Sequence, residues 1–132
     1  MKNENAKSFE FDWKEFDCKE YLYLQLGRYT NNSNLFLGLV YYDSDLEDYD
    51  SFNDLTINVP MTPLENNGIW FDKSKETEII INGDLGKEIR KTLYSLPFLK
   101  KTDRVVHSGF ATYEVALFNY EKAKDYIIWE EL

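Results

Sequence analysis

The chain has one cysteine, one histidine and three prolines, and few cations to set against its acids. The lone Cys18 excludes an intrachain disulfide, and with it a stapled scaffold or a zinc site built on cysteines. No apolar run approaches the roughly 20 residues of a membrane span, and the opening MKNENAKSFEF has no signal-peptide core. These absences predict a cytoplasmic protein. Catalytic signatures are missing too: Ser108-Gly109 does not sit in a G-x-S-x-G elbow, and Gly83 and Gly86 are too isolated for a phosphate loop or dinucleotide fingerprint. His107 and Cys18 lie on different segments; a small hydrolase or nuclease would have to be built on one or both of them. The run D-S-D-L-E-D-Y-D has calcium-binding letters but lacks the glycine and terminal glutamate of an EF-hand loop. The expectation is therefore a non-enzymatic protein with no metal and no cofactor.

The charge is −9 and unevenly spread: 12 acids meet 5 bases over residues 1–60, and 12 meet 10 over residues 61–132. Such a chain is a poor binder of phosphates or of an anionic membrane, because both need Lys and Arg. It suits a basic protein surface, such as the groove of a nucleic-acid enzyme. Aromatics make up 17% of residues, too many tyrosines among them for all to be buried. They fit both ordinary strand positions and recognition surfaces.

The length suits one domain, residues 1–132, with residues 1–7 polar and expected to be disordered. Phe9, Phe11 and Trp13 alternate with acids as in a half-buried strand. In the stretch 19–29, Leu22, Leu24 and Leu26 share one face, and Tyr21, Tyr23 and Gln25 the other. The run 30–34, TNNSN, is turn chemistry, and Leu35 to Tyr42 reads as an interior strand covered on both faces. Asp43 to Asn53 reads as an acidic loop, followed by strands at Leu55–Val59 and, after the turn Asn66-Asn67-Gly68, at Ile69–Phe71. Ile79–Ile81 favours a strand over a helix start. Leu85, Ile89, Leu93 and Leu96 then recur at helical spacing, with Asp84 as the expected N-cap. Lys100–Arg104 reads as an exposed basic connector and Val115–Phe118 as the last sheet strand, while 120–129 fits helix or strand. The sum is an α+β fold: a meandering antiparallel sheet of about five to seven strands with one main helix packed on it.

The acidic stretch is the candidate site. Asp43, Asp45, Glu47, Asp48, Asp50 and Asp54 run without one Lys or Arg among them, with Tyr49 interleaved. Carboxylates along such a segment can take the positions of phosphates in a basic groove, and tyrosines add contact area at low entropy cost.

Four segments, GRYTNNSNLFLGLV, LTINVP, NNGIWFD and SGFATYEVALFN, occur in an order that resembles a family of small uncharacterised proteins carried on conjugative transposons, plasmids and phages of Gram-positive bacteria. The resemblance covers roughly residues 22–118, with a longer acidic stretch here and a different connector over 93–104. It implies a mobile-element cargo protein, such as an anti-CRISPR or anti-restriction inhibitor that binds a defence nuclease where nucleic acid belongs. The partner would be the basic surface of a CRISPR effector, foremost type II, or of a restriction enzyme. The alternative is an accessory protein-binding module of a conjugative element, homodimeric through a sheet edge. Ser108, Gly109, Phe110 and Tyr113 read as structural, a glycine turn followed by aromatic core contacts.

Overall fold

A computed structural model describes residues 1–132. It contains two β-sheets rather than one. The first sheet runs β1 (Phe9–Trp13), β2 (Cys18–Arg28), β3 (Leu35–Asp43) and β4 (Asp48–Asp54), all antiparallel. The second is antiparallel in the order β5 (Thr77–Ile80), β7 (Ala111–Phe118), β6 (Leu99–Ser108). A last strand, β8 (Ile127–Glu130), returns to the first sheet and pairs parallel with β2, so that β1 and β8 share one side of that long strand. Eight strands and two short helices, α1 (Lys87–Tyr94) and α2 (Tyr120–Ala123), make the architecture mostly β. The single sheet with one main helix expected from the pattern is only roughly met.

The leucine alternation does what the period-2 pattern requires. Leu22, Leu24 and Leu26 of β2 and Leu35, Leu37 and Leu39 of β3 all face one core and are at most 2% exposed. Ile79, Phe118 and the α1 residues Ile89 and Leu93 enter the same core from the second sheet's side. Ile80 and Val115, one residue out of phase, join Val59 and Val106 in a small cluster on the other face of the second sheet.

Residues 1–7 run along the open side of β8: Asn3 N–H donates to Ile128 O (2.8 Å), Lys7 N–H donates to Asp125 O (2.7 Å), and Lys2 bridges Trp129. Several local expectations are corrected. Leu55–Val59 is no strand, because the chain there crosses between sheets: Leu55 N–H bonds Leu37 O in the first and Ile57 N–H bonds Ile80 O in the second. Ile69–Phe71 is not a strand either; Gly68–Trp70 forms a 3-10 turn that leaves Ile69 and Trp70 exposed. Asp84 does not cap α1. Asn82 Oδ1 accepts the Asp84 N–H in a local turn, and the helix begins later, at Lys87, with Gly86 as its N-cap and no side-chain cap. The basic stretch 100–104 belongs to β6, with an irregularity between Lys101 and Val105 where the Thr102 hydroxyl donates to Val115 O. Gly109 does make the β6–β7 turn at φ +61°, but Phe110 beside it is fully exposed rather than a core contact.

Asn67 does more than turn the chain. Its buried side chain accepts from Leu35 N–H at 2.6 Å and Gly68 N–H at 2.7 Å, and donates to Glu78 O at 2.6 Å. One amide thus fastens the start of β3 to β5. Asn67→Ala leaves those groups without partners, and urea unfolding should show a loss of about 2–4 kcal/mol.

Candidate functional site

The acidic stretch is a β-hairpin. β3 and β4 pair from Asp43↔Asp48 at the tip to Gly38↔Asp54 at the base, around the turn Ser44–Glu47. The expected loop from Asp43 to Asn53 is therefore mostly strand. Asp43 Oδ1 accepts the Asp45 N–H at 2.9 Å, and Glu47 closes the turn at φ +52°. Asp and Asn are poor strand formers, yet here they sit at a sheet edge where one side of the strand meets water.

A bulge organises that edge. Val40 pairs Ser51 and Leu39 pairs Asn53, so Phe52 is an extra residue in β4, and its ring packs against Phe11 and Trp13 at the rim of the core. The amides of Tyr49, Ser51 and Asp54 share one phase of the strand once the extra residue is allowed for. Each donates to the side-chain oxygen of the residue before it, Asp48 Oδ1, Asp50 Oδ1 and Asn53 Oδ1, all at 2.8 Å. The edge strand thus closes its own outward donors.

The charge has no internal counterweight. The five ion pairs of the fold use Glu10, Glu130, Glu114, Glu78 and Glu121; none uses Asp43, Asp45, Glu47, Asp48, Asp50 or Asp54. Nor do these carboxylates converge, since no group of three or more potential ligands is placed to hold a metal ion. They are strung from the hairpin tip along the edge strand β4.

Behind the edge lies an open tyrosine face. Tyr42 and Tyr49 are cross-strand partners with ring centroids 5.3 Å apart, and Tyr23 of β2 meets Tyr49 edge-on at 5.2 Å. Tyr21 and Tyr42 are half exposed. Both helices send their apolar residues into the main core on the other side of the sheet, Ile89 and Leu93 from α1 and Ala123 from α2. A shallow groove of about 390 Å³ runs between Tyr49, Ser51 and Trp129, with Asp48 and Asp50 at its lip. Burial holds the Tyr49 phenol above its ordinary pKa, and Tyr23, Tyr42 and Glu4 push the same way. Burial likewise raises Tyr41, helped by Asp50, Asp43 and Glu20.

Residues 23–129, from β2 into β8, match the domain of unknown function DUF4313. The chain belongs to the DUF4313 family. No curated protein and no solved structure matches it. The family match takes in the whole acidic hairpin, while β1 and the arm that crosses β8 lie outside it. No helix is long and apolar enough to cross a membrane.

The site residues chosen from the sequence are thus all on one hairpin. The sequence reading missed Tyr23, Trp129 and Lys2, which topology brings beside them. The outward face of β2, Tyr21–Tyr23–Gln25, was the available signal. His107 and Cys18, the alternative chemical candidates, sit on different sheets: His107 Nδ1 lies 3.0 Å from Thr112 Oγ1 on the second, and Cys18 pairs with Trp13 in the first.

Two outcomes are expected. Replacing Asp48, Asp50 and Asn53 together by Ala frees three edge amides and removes two charges, so sedimentation should show self-association absent from the wild type. Tyr41 and Tyr49 should ionise later than an ordinary phenol. Their raised folded-state pKa values mean their contribution to stability is complete below about pH 10 and is lost as pH rises through those values. Ultraviolet titration of Tyr49→Phe should lack part of the late-ionising phase.

Proposed function

We propose that the chain is a non-enzymatic binding protein whose β3–β4 hairpin docks on the basic nucleic-acid surface of a nucleic-acid-targeting protein. The observation that carries this reading is the row of six carboxylates on the hairpin, none in an ion pair. Three of the six, Asp48, Asp50 and Asp54, lie on the seven-residue strand β4, which spans roughly 23 Å, and the other three gather at the tip, so the hairpin presents an extended acidic surface of the sign a basic groove takes. The self-closed amides favour docking through side chains over addition of a partner strand. The motif resemblance to cargo of mobile elements supports a host defence nuclease as the partner, foremost a type II CRISPR effector.

Asp45, Glu47 and Asp54 are the carboxylates to reverse, because their side chains accept no hydrogen bond within the fold while those of Asp43, Asp48 and Asp50 do. With all three changed to Lys, association with the effector should slow by about ten- to a thousandfold at low salt, with the melting temperature little changed. Undiminished binding and inhibition by that variant would sink the reading. Failure of the wild type to bind any CRISPR effector or restriction enzyme would instead favour the accessory module of a conjugative element.

A further inference from the structure

Lys2 occupies a telling position. Its Nζ lies 5.2 Å from the centroid of the Tyr49 ring, within the groove that Asp48 and Asp50 border. The backbone holds it there: Lys2 bridges Trp129, Asn3 N–H donates to Ile128 O at 2.8 Å, and Glu130 N–H donates to Met1 O at 3.0 Å. Lys2 takes part in none of the five ion pairs. An ammonium over a tyrosine face, with carboxylates at the lip and two more tyrosines edge-on to that ring, is the arrangement that selects a cation on an apolar stem.

We propose that this groove receives a lysine or arginine side chain of the basic partner, and that Lys2 is a placeholder that the incoming side chain displaces. The inference rests on the docking surface assigned above and adds where its central contact lies. Charge complementarity fixes the occupant: the groove opens onto the uncompensated edge, whose nearest carboxylates are fixed by their bonds to Tyr49 N–H and Ser51 N–H. Tyrosine serves here better than a further carboxylate. A cation stacked on a ring keeps part of its hydration, whereas a buried ion pair loses it on both sides. The acidic edge then governs how fast the partner arrives, and the groove how long it stays.

The test uses the full chain and an oligoarginine peptide as probe, with the equivalent citrulline peptide as the neutral control. Binding is followed by calorimetry and by chemical shifts of the tyrosine ring protons. Tyr49→Leu keeps an apolar side chain and removes the ring, and should weaken arginine-peptide binding by about two- to fivefold. Lys2→Ala should strengthen it by a similar factor, and by more than Lys7→Ala, which removes the same charge from the same segment without touching Tyr49. Circular dichroism reports whether Tyr49→Leu is folded; if it is not, the ring shifts of Tyr49 in the wild type decide, by moving or not moving on binding. Equal gains from Lys2→Ala and Lys7→Ala, with unmoved Tyr49 shifts, would overturn the placeholder. If the peptide then still depends on Asp45, Glu47 and Asp54, the docking reading stands without the groove. A wild type that binds the arginine peptide no better than the citrulline peptide overturns both.

Discussion

Asn67 fastens the start of β3 to β5 with three hydrogen bonds of 2.6–2.7 Å from one side chain. Two sheets with separate ladders stay in register with each other only through the bonds that pass between them. The buried amide supplies such bonds at one end of β3. The crossing segment supplies them further along, where Leu55 N–H reaches Leu37 O and Asn82 N–H reaches Leu55 O. Arg28 adds a third tie, donating to Gly68 O at 2.6 Å and Ser33 O at 3.0 Å. With β3 fixed at its base in this way, the hairpin it forms with β4 extends as a supported arm. A buried polar group is costly unless it is satisfied, and satisfaction in one geometry only is what makes such a group specify an arrangement.

The hairpin shows how an acidic edge can be both exposed and stable. Like charges at Asp43 and Asp48 face each other across the ladder, a pairing that by itself is unfavourable. Their placement at the solvated tip lets water screen them, and the Asp43 and Asp48 side chains recover hydrogen bonds from nearby amides. The same bonds settle what the edge offers. A strand seeking to extend the sheet meets carboxylates instead of free N–H groups, while a cationic side chain meets oxygens with lone pairs to spare. The outer strand β6 of the second sheet is protected by other means: it is irregular between Lys101 and Val105 and carries exposed Lys100, Lys101 and Arg104.

Much of this was legible in the letters, and the failures share a cause. Leu22–Leu24–Leu26 and Leu35–Leu37–Leu39 announced their faces because a buried sheet leaves a period of two in the sequence. The α1 stripe through Ile89 and Leu93 was equally clear. The acidic stretch was misread as a loop because Asp and Asn argue against a strand locally, and what overrules them is pairing with β3. Residues 100–104 were misread for the same reason, with β7 as the overruling partner. Asn67 and Gly68 spelled a hairpin turn, but the amide acts on Leu35 and Glu78, which no local window contains. The division into two sheets, and the return of β8 to β2, are wholly non-local. So is the groove: Tyr49 belonged to the recognised site, whereas Lys2 and Trp129 reach it only through the path of the whole chain.

The parallel pairing of β2 with β8 also has a temporal side. β2 can bond β3 and β1 as soon as those neighbours in sequence have been made, but the second half of its other flank, from Leu24 to Leu26, stays open until Ile127–Glu130 exists. During synthesis one of the first sheet's central ladders therefore stays unfinished until β8 has been made. Closing it requires a strand delivered after every other strand, at a cost in loop entropy that sequence-adjacent pairings avoid. Nascent chains would pass through a state with the leucine core half covered and β2 bare on one flank, the period in which a chaperone has most to offer this fold.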